Sequence, residues 1–261
     1  MKSGKFMFMK KDSCGQVGIG TLIIFLAMIL VASVAAGVLI QTSGVLQQKA
    51  QATGAQATEE ISSNLKIIGI EGIRAKDTGS NMSDSIDLLK MKMGLNVGTT
   101  EVDLSTLIIT ISDGQVTNDL VYGSNTMLYG SEMNGFTGDV KTGDLTELLN
   151  NTHEVAGPNI ASFFTVERMR DEDNSLAAST PVLNSGDIAI IYIGTASSDA
   201  VNYTYLGDFN ATGAGISLKD SGLTLNSRTT VDIQITPEKG SQTISQFTIP
   251  TLNVNEKYMI R

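Results

Sequence analysis

From Gln16 to Gln48 the chain carries no charged residue, and within that run Ile19 to Ile40 is apolar apart from Thr21 and Ser33. As a helix, Ile19 to Ile40 would rise about 33 Å at ~1.5 Å per residue, enough to cross the hydrocarbon core of a bilayer. Few architectures accept such a segment. A helix that is apolar on every side cannot lie on the surface of a soluble monomer. It is either cut away as a secretory signal, kept as a membrane anchor, or held in the membrane and later packed against copies of itself.

Residues on either side of the run help to choose. Lys2, Lys5, Lys10 and Lys11 precede it, with Asp12 the one acid there. That bias keeps the N-terminal side in the cytoplasm and places the rest outside. The run exceeds the ~7–15 apolar residues of an ordinary secretory signal, although Val34-Ala35-Ala36 would serve as a small-residue cleavage site. Small residues are dense: Ala27, Ala32, Ser33, Ala35, Ala36 and Gly37, with Gly18 and Gly20 near the start. They let helices approach closely where no water drives them together, which favours self-packing. Gly and Ala are common in membrane helices generally, so the anchor reading stays open. Helical spacing continues through "AQATGAQATEEISSNLKIIGI", and predicts one helix from about Gly18 to about Leu65, ~70 Å long.

Charge and cysteine narrow the function classes. The 261 residues hold 18 basic and 27 acidic groups, net −9. Without residues 1–15 the balance becomes 14 against 26, net −12. A surface so acidic repels nucleic acid. The single cysteine, Cys14, allows no internal disulfide and no thiolate metal cluster. A lipoprotein signal places its apolar region before the cysteine, whereas here it follows.

Beyond about Ile67 the pattern changes to short β-branched runs between Gly, Asp and Asn. "STLIITISDG", "NDLVYG", "ASFFTVERM", "GDIAIIYIG", "GISLKDSG", "TTVDIQITPE" and "SQFTIP" read as strands. "SDG" (Ser112 to Gly114) and "KDSG" (Lys219 to Gly222) are hairpin-like, and "TGDLTELLNN" predicts a helix capped by Asp144 or Thr142. Many short strands argue an antiparallel sandwich or barrel.

Enzyme motifs such as GxxxxGK[ST], GxSxG and HExxH are absent from the sequence. The one histidine, His153, sits in "NNTHEVAGP" and reads as a surface loop residue. "RDEDNS" alternates Asp171, Asp173 and Ser175 as the first ligands of a calcium loop do, but without that loop's Gly and distal Glu. The favoured reading is a solvated acidic hairpin, with a structural ion such as calcium as its functional version; no other cofactor is expected. Four N-glycosylation sequons occur, at Asn81, Asn150, Asn202 and Asn210, and none falls in the predicted helix.

The stretch "QVGIGTLIIFLAMILVASVAAGVLIQTSGVLQQKA", behind a basic leader ending in Gly15, closely resembles the N-terminus of archaellins, the filament subunits of the archaeal flagellum. "LVYG", "VERMRDEDNS", "PVLNSGDIAIIYI" and "DIQITPEKGS" are similar to archaellin segments from methanogens. The resemblance implies a class III, prepilin-like signal peptide over residues 1–15, cut between Gly15 and Gln16 by a prepilin-type signal peptidase in the membrane. It implies a filament-core helix over 16–65, packed through Gly18, Gly20, Ala27, Ala32, Ala35, Ala36 and Gly37, and an outer domain over 66–261. The implied fold is α+β: a long N-terminal hydrophobic α-helix followed by an antiparallel, immunoglobulin-like β-sandwich. Expected function is structural: an extracellular filament subunit for swimming, a homo-polymer or co-polymer with other archaellins, turned by a motor and assembly machinery in the membrane. The precursor would be transiently inserted in the cytoplasmic membrane, the outer domain would be N-glycosylated, and no nucleic acid would bind. Type IV pilins usually carry Glu at the fifth position after the cut; here that position is Gly20, which favours an archaellin over an adhesive pilin-like subunit. A never-cleaved anchored surface domain is the third alternative.

Overall fold

The computed structural model describes residues 13–62, 65–77, 81–96, 98–99, 101–141, 144–177, 180–207, 209–210 and 218–261. It divides into two compact units, Met1–Ala57 and Thr58–Arg261.

The first unit is built on α1, Ser13–Ser62, one unbroken helix of 50 residues. The chain between Gln16 and Gln48 is rich in Ala, Leu and Ile, without Pro, so nothing in it breaks the ladder. The helix starts before the expected Gly18 and stops three residues short of Leu65. Leu65 already belongs to a strand, because its side chain is buried in the second unit's core.

The second unit is built on a nine-stranded sheet, with two two-stranded sheets and one three-stranded sheet beside it among the described residues. The nine strands are β1 Leu65–Ile73, β2 Leu88–Leu95, β3 Ile108–Ser112, β4 Thr117–Tyr122, β5 Phe163–Arg170, β6 Ile188–Gly194, β7 Thr230–Thr236, β8 Thr243–Thr248 and β9 Lys257–Met259. Their order is β8-β7-β3-β4-β5-β6-β2-β1-β9. Every pair is antiparallel except β4 with β5, a short parallel match of Val121 to Phe163 and Tyr122 to Phe164. This joint links two antiparallel halves whose inner faces share one core. From one half come Leu89, Met91, Met93, Val166 and Ile191; from the other come Ile109, Ile111, Val231, Ile233 and Ile235. The sheet's far edges also meet: Thr243 Oγ1 donates to the Leu65 carbonyl at 3.1 Å, and the Arg261 guanidinium donates to Ser245 Oγ at 2.7 Å.

A second, smaller core lies between Ile73, Leu88, Val121, Phe163 and Tyr192 of the sheet and two short helices, α2 Leu145–Asn150 and α3 Asn159–Ser162. Both helices lie in the segment joining β4 to β5.

Several expectations need correction. α2 forms within "TGDLTELLNN", but Asp144 does not cap it. Asp144 is left-handed (φ 47°) and makes no cap hydrogen bond. Its carboxylate instead accepts from Thr137, Gly138 and Asp139 and closes the preceding loop. Thr142 lies outside the described residues. "SDG" does make a hairpin: β3 and β4 flank a turn in which Asp113 Oδ1 accepts from Gln115 N and Val116 N, both at 2.8 Å. "KDSG" does not, because Leu218 to Leu225 run as irregular chain anchored by buried Leu218, Leu223 and Leu225. His153 is buried at 3 % exposure, not a surface residue. Its Nδ1 accepts from Val155 N and Ala156 N, and its Nε2 meets Ser131 Oγ at 2.7 Å. Two backbone donors on Nδ1 place the ring proton on Nε2, and the ring packs between Tyr129 and Phe163.

Candidate assembly surface

The outer domain completes its own core, but α1 does not. Every residue from Gly18 to Thr58 is exposed, and Val17, Ile19, Leu22, Ile23, Phe25, Met28, Leu30, Val31, Val34, Leu39 and Ile40 each show about half or more of their surface. Apolar exposure on this scale, far beyond the few hundred Å² usual for soluble monomers, marks an interaction surface. The Val17–Thr58 segment, 42 residues, is also long and apolar enough to cross a membrane.

The local chemistry suits burial. Three hydroxyls turn back on the helix, Thr21 Oγ1 to Gly18 O at 2.9 Å, Ser33 Oγ to Leu30 O at 2.9 Å and Thr42 Oγ1 to Leu39 O at 3.1 Å. Each polar group is thus satisfied within the helix and asks nothing of an apolar neighbour. Nothing lies within 4 Å of where a side chain would begin at Gly18, Gly20 or Gly37, so a neighbouring backbone can approach there. At about 100° per residue, Gly20 and Ala27 share one side, Gly18, Ala32 and Ala36 the roughly opposite side, and Ala35 and Gly37 lie between. The close-approach points ring the helix. Such a distribution fits a helix with neighbours on all sides, not a two-helix seam. Gly15 and Gln16 fall in the first turn of α1.

The second candidate lies where β5 turns back towards β6. Carboxylate oxygens of Asp171, Asp173 and Asp187 lie within 4.8 Å of one another. The sequence pattern pointed to the first two; Asp187 comes from "NSGDIAI", where nothing local marks it, and only the β5–β6 pairing brings it in. Ser175 N donates to Asp171 Oδ1 and Asp173 Oδ1, each at 3.1 Å. Asn184 Nδ2 donates to Asp173 Oδ2 at 2.7 Å, and Asn184 N to Asp187 Oδ2 at 3.1 Å. Arg168 pairs with Asp171 at 3.5 Å. The Asn184 amide and Ser175 hold the Asp173 carboxyl below its ordinary value. The cluster borders a polar cleft of about 420 Å³ that includes Glu172 and Gly186. All-oxygen donors of this type suit a hard cation.

The sequons differ in what the fold leaves accessible. Asn81 and Asn202 are exposed and Asn150 is half-buried in α2. Asn210 lies in a described strand, but its sequon continues outside the described residues. Ser83, the hydroxyl residue of the Asn81 sequon, is buried at 1 % exposure and bonded to Ser85 Oγ at 2.9 Å.

A β-domain with its own core, joined to a long helix that is exposed from Val17 to Thr58 and apolar over its first half, has the build of a self-assembling filament subunit. The model of the archaeal-type flagellin family matches residues 15–247, and the chain belongs to that family. Flagellin B3 of Thermococcus kodakarensis is 34% identical over 94% of this chain and 95% of its own length. Flagellin B2 of Methanocaldococcus jannaschii is 34% identical over 96% of each chain. The fold is similar to that of the subunit in the archaeal flagellum of Methanospirillum hungatei strain JF1, with a TM-score of 0.53, 13% identity, and coverage of 94% of this chain and 99% of that one. The protein is a structural subunit of the extracellular archaellum filament and polymerises with archaellins; it is not an enzyme.

Proposed function

We propose that the precursor is held in the cytoplasmic membrane by α1, that a prepilin-type peptidase cuts it between Gly15 and Gln16, and that the freed helix passes from lipid into the filament core. The carrying observation is the exposed apolar helix joined to a domain that needs no help to close its core. In lipid and in the filament the helix meets the same kind of surroundings, so transfer needs no refolding. Open head-to-tail association of identical subunits then grows a filament without a fixed end, and a membrane-bound motor turns it. At ~25 cal/mol per Å², burying the apolar surface of such a helix contributes on the order of tens of kcal/mol per subunit before ordering costs. N-terminal sequencing of purified filaments tests the processing step: Gln16 as first residue supports it, and Met1 overturns it.

The outer domain carries the acidic surface and, on this reading, the glycans. Asn202 is the sequon best placed for modification in the folded domain, because it is exposed and Thr204 beside it is only half-buried. For the acidic cluster, chelation is the test of a structural cation such as calcium. A melting temperature that falls on chelation in the wild type but not in Asp187→Asn identifies one; equal melting leaves the cluster a hydrogen-bonded loop clamp.

A further inference from the structure

Asp87 is fully buried, and among the described residues no cation is a hydrogen-bond partner of it. Its Oδ2 accepts from Ala75 N at 2.7 Å. Its Oδ1 accepts from Ser85 Oγ at 2.8 Å and Ser83 Oγ at 3.3 Å, and the nearby backbone N–H of Ser197 also favours the ionised carboxylate. The three hydroxyls are themselves linked, Ser83 to Ser85 at 2.9 Å and Ser85 to Ser197 at 3.1 Å. Backbone bonds enclose the same point: Asp87 N to Ile73 O, Ser83 N to Ala75 O, and Thr195 N to Asp87 O, at 2.8 to 3.0 Å. One carboxylate therefore ties together the exit of β1, the return into β2 and the turn that follows β6.

The surroundings supply hydrogen bonds but little compensating charge. Arg74 spends its guanidinium on the carbonyls of Ser83, Asn253 and Asn255, with exposed Asp84 at 4.0 Å. Lys76 pairs with Glu256 at 2.5 Å. Lys66 and Glu71 on β1, Asp77, Lys90 and Lys92 on β2, Tyr192 on β6, Asp199 beyond Ser197, and Lys219 and Asp220 near Ala196 are the further ionisable groups on the adjoining elements; among the described residues none of them is a hydrogen-bond partner of Asp87. Burial outweighs the four donors and pushes the Asp87 carboxyl up from 3.8 to about 6. Either state is accommodated, because a serine hydroxyl can donate to a carboxylate or, by rotating, accept from a carboxylic acid.

We propose that Asp87 with Ser83, Ser85 and Ser197 forms a proton-operated clasp, which holds the β1–β2 connection against the turn after β6 more tightly when Asp87 is neutral than when it is ionised. Removing the charge relieves its desolvation without removing a tie. The folded state then holds a proton that the unfolded chain has released, so this contribution is fully present below pH ~4 and is lost as pH rises through about 6. The whole change is about a hundredfold in the unfolding equilibrium. Because Ser83 completes the Asn81 sequon, a closed clasp also withdraws that hydroxyl from any enzyme reading the sequon.

Thermal unfolding of the full-length protein in detergent, followed from pH 4.5 to 8 in the wild type and Asp87→Asn, tests the clasp. The wild type is expected to melt progressively lower as pH rises from 4.5 to 7, and Asp87→Asn, which keeps the shape without the charge and can accept from Ala75 N through its oxygen while its NH2 donates to the serine hydroxyls, to lose that slope. An unchanged slope in Asp87→Asn overturns the proposal. Should the variant fail to fold, hydrogen exchange of the wild-type Ala75 amide decides. After correction for intrinsic exchange, protection must be greater at pH 5 than at pH 7.5; equal or lower protection overturns the clasp.

Discussion

Gly194 shows how little room single positions have. A Cβ added there would lie 2.1 Å from Ile160 Cγ1 and 2.6 Å from its Cδ1, both part of the packing between β6 and α3. Gly194→Ala is expected to cost about 1–3 kcal/mol through overpacking, read as a lower melting temperature, and Gly194→Ala with Ile160→Ala to cost less than the sum of the two single changes. Asp113 works in the opposite sense to Asp87. Backbone N–H donors from Val116, Thr224 and Gln115 outweigh modest burial and hold its carboxyl below 3.8. Its stabilisation is present above the ordinary aspartate range and is lost as pH falls through its lowered value, so Asp113→Asn should be less stable at pH 6 and lose less stability than the wild type as pH falls below ~4. Melting curves of the two variants at pH 3 and pH 6 separate these opposed contributions. Of these residues, Asp113 was legible in the sequence because "SDG" is turn chemistry over four neighbouring residues. Asp87, Asp187 and His153 were not, since each has local partners but owes its burial and its remaining contacts to segments farther along the chain.

Among the elements, α1 was the most legible, because composition alone excludes any other state for 33 uncharged residues of this kind. The strands of "LIITIS", "IAIIYIG" and "VDIQIT" were equally plain from their β-branched residues. β2 was missed. "LLKMKMGL" is made of good helix formers, and tertiary pairing between β1 and β6 overrides them. The alternation was nevertheless there to be read: Leu89, Met91 and Met93 are buried in the core while Lys90 and Lys92 stay partly exposed. For α1, Ala36→Glu places an unpaired carboxylate where neighbours must pack and is expected to abolish filaments. Near-native melting of the outer domain in the same protein would show that assembly, and not folding, has failed. Filaments of normal length and number on electron micrographs would contradict the packing role.

At the scale of the whole molecule, charge and apolarity are parted along the chain. With cleavage after Gly15 the subunit has 14 basic and 26 acidic groups, so each copy in a filament carries about −12 and like-charged outer domains oppose the attraction of the helices. Added salt screens this repulsion over ~10 Å at 0.1 M, and filaments are expected to resist dissociation by heat better at 0.5 M than at 0.02 M NaCl. Turbidity or sedimentation against temperature measures it; greater stability at low salt would place attractive charge pairs between copies.

The placing of β1 has a consequence for a filament under torque. β1 follows α1 after two residues and is bonded on both flanks, to β2 along its length and to β9 from Glu71 to Ile73. A pull directed along β1 would strain these ladders in shear, many hydrogen bonds at once, instead of unzipping them singly. A strand paired on both flanks near its C-terminal end is thus the first part of the sheet that the chain reaches after the helix.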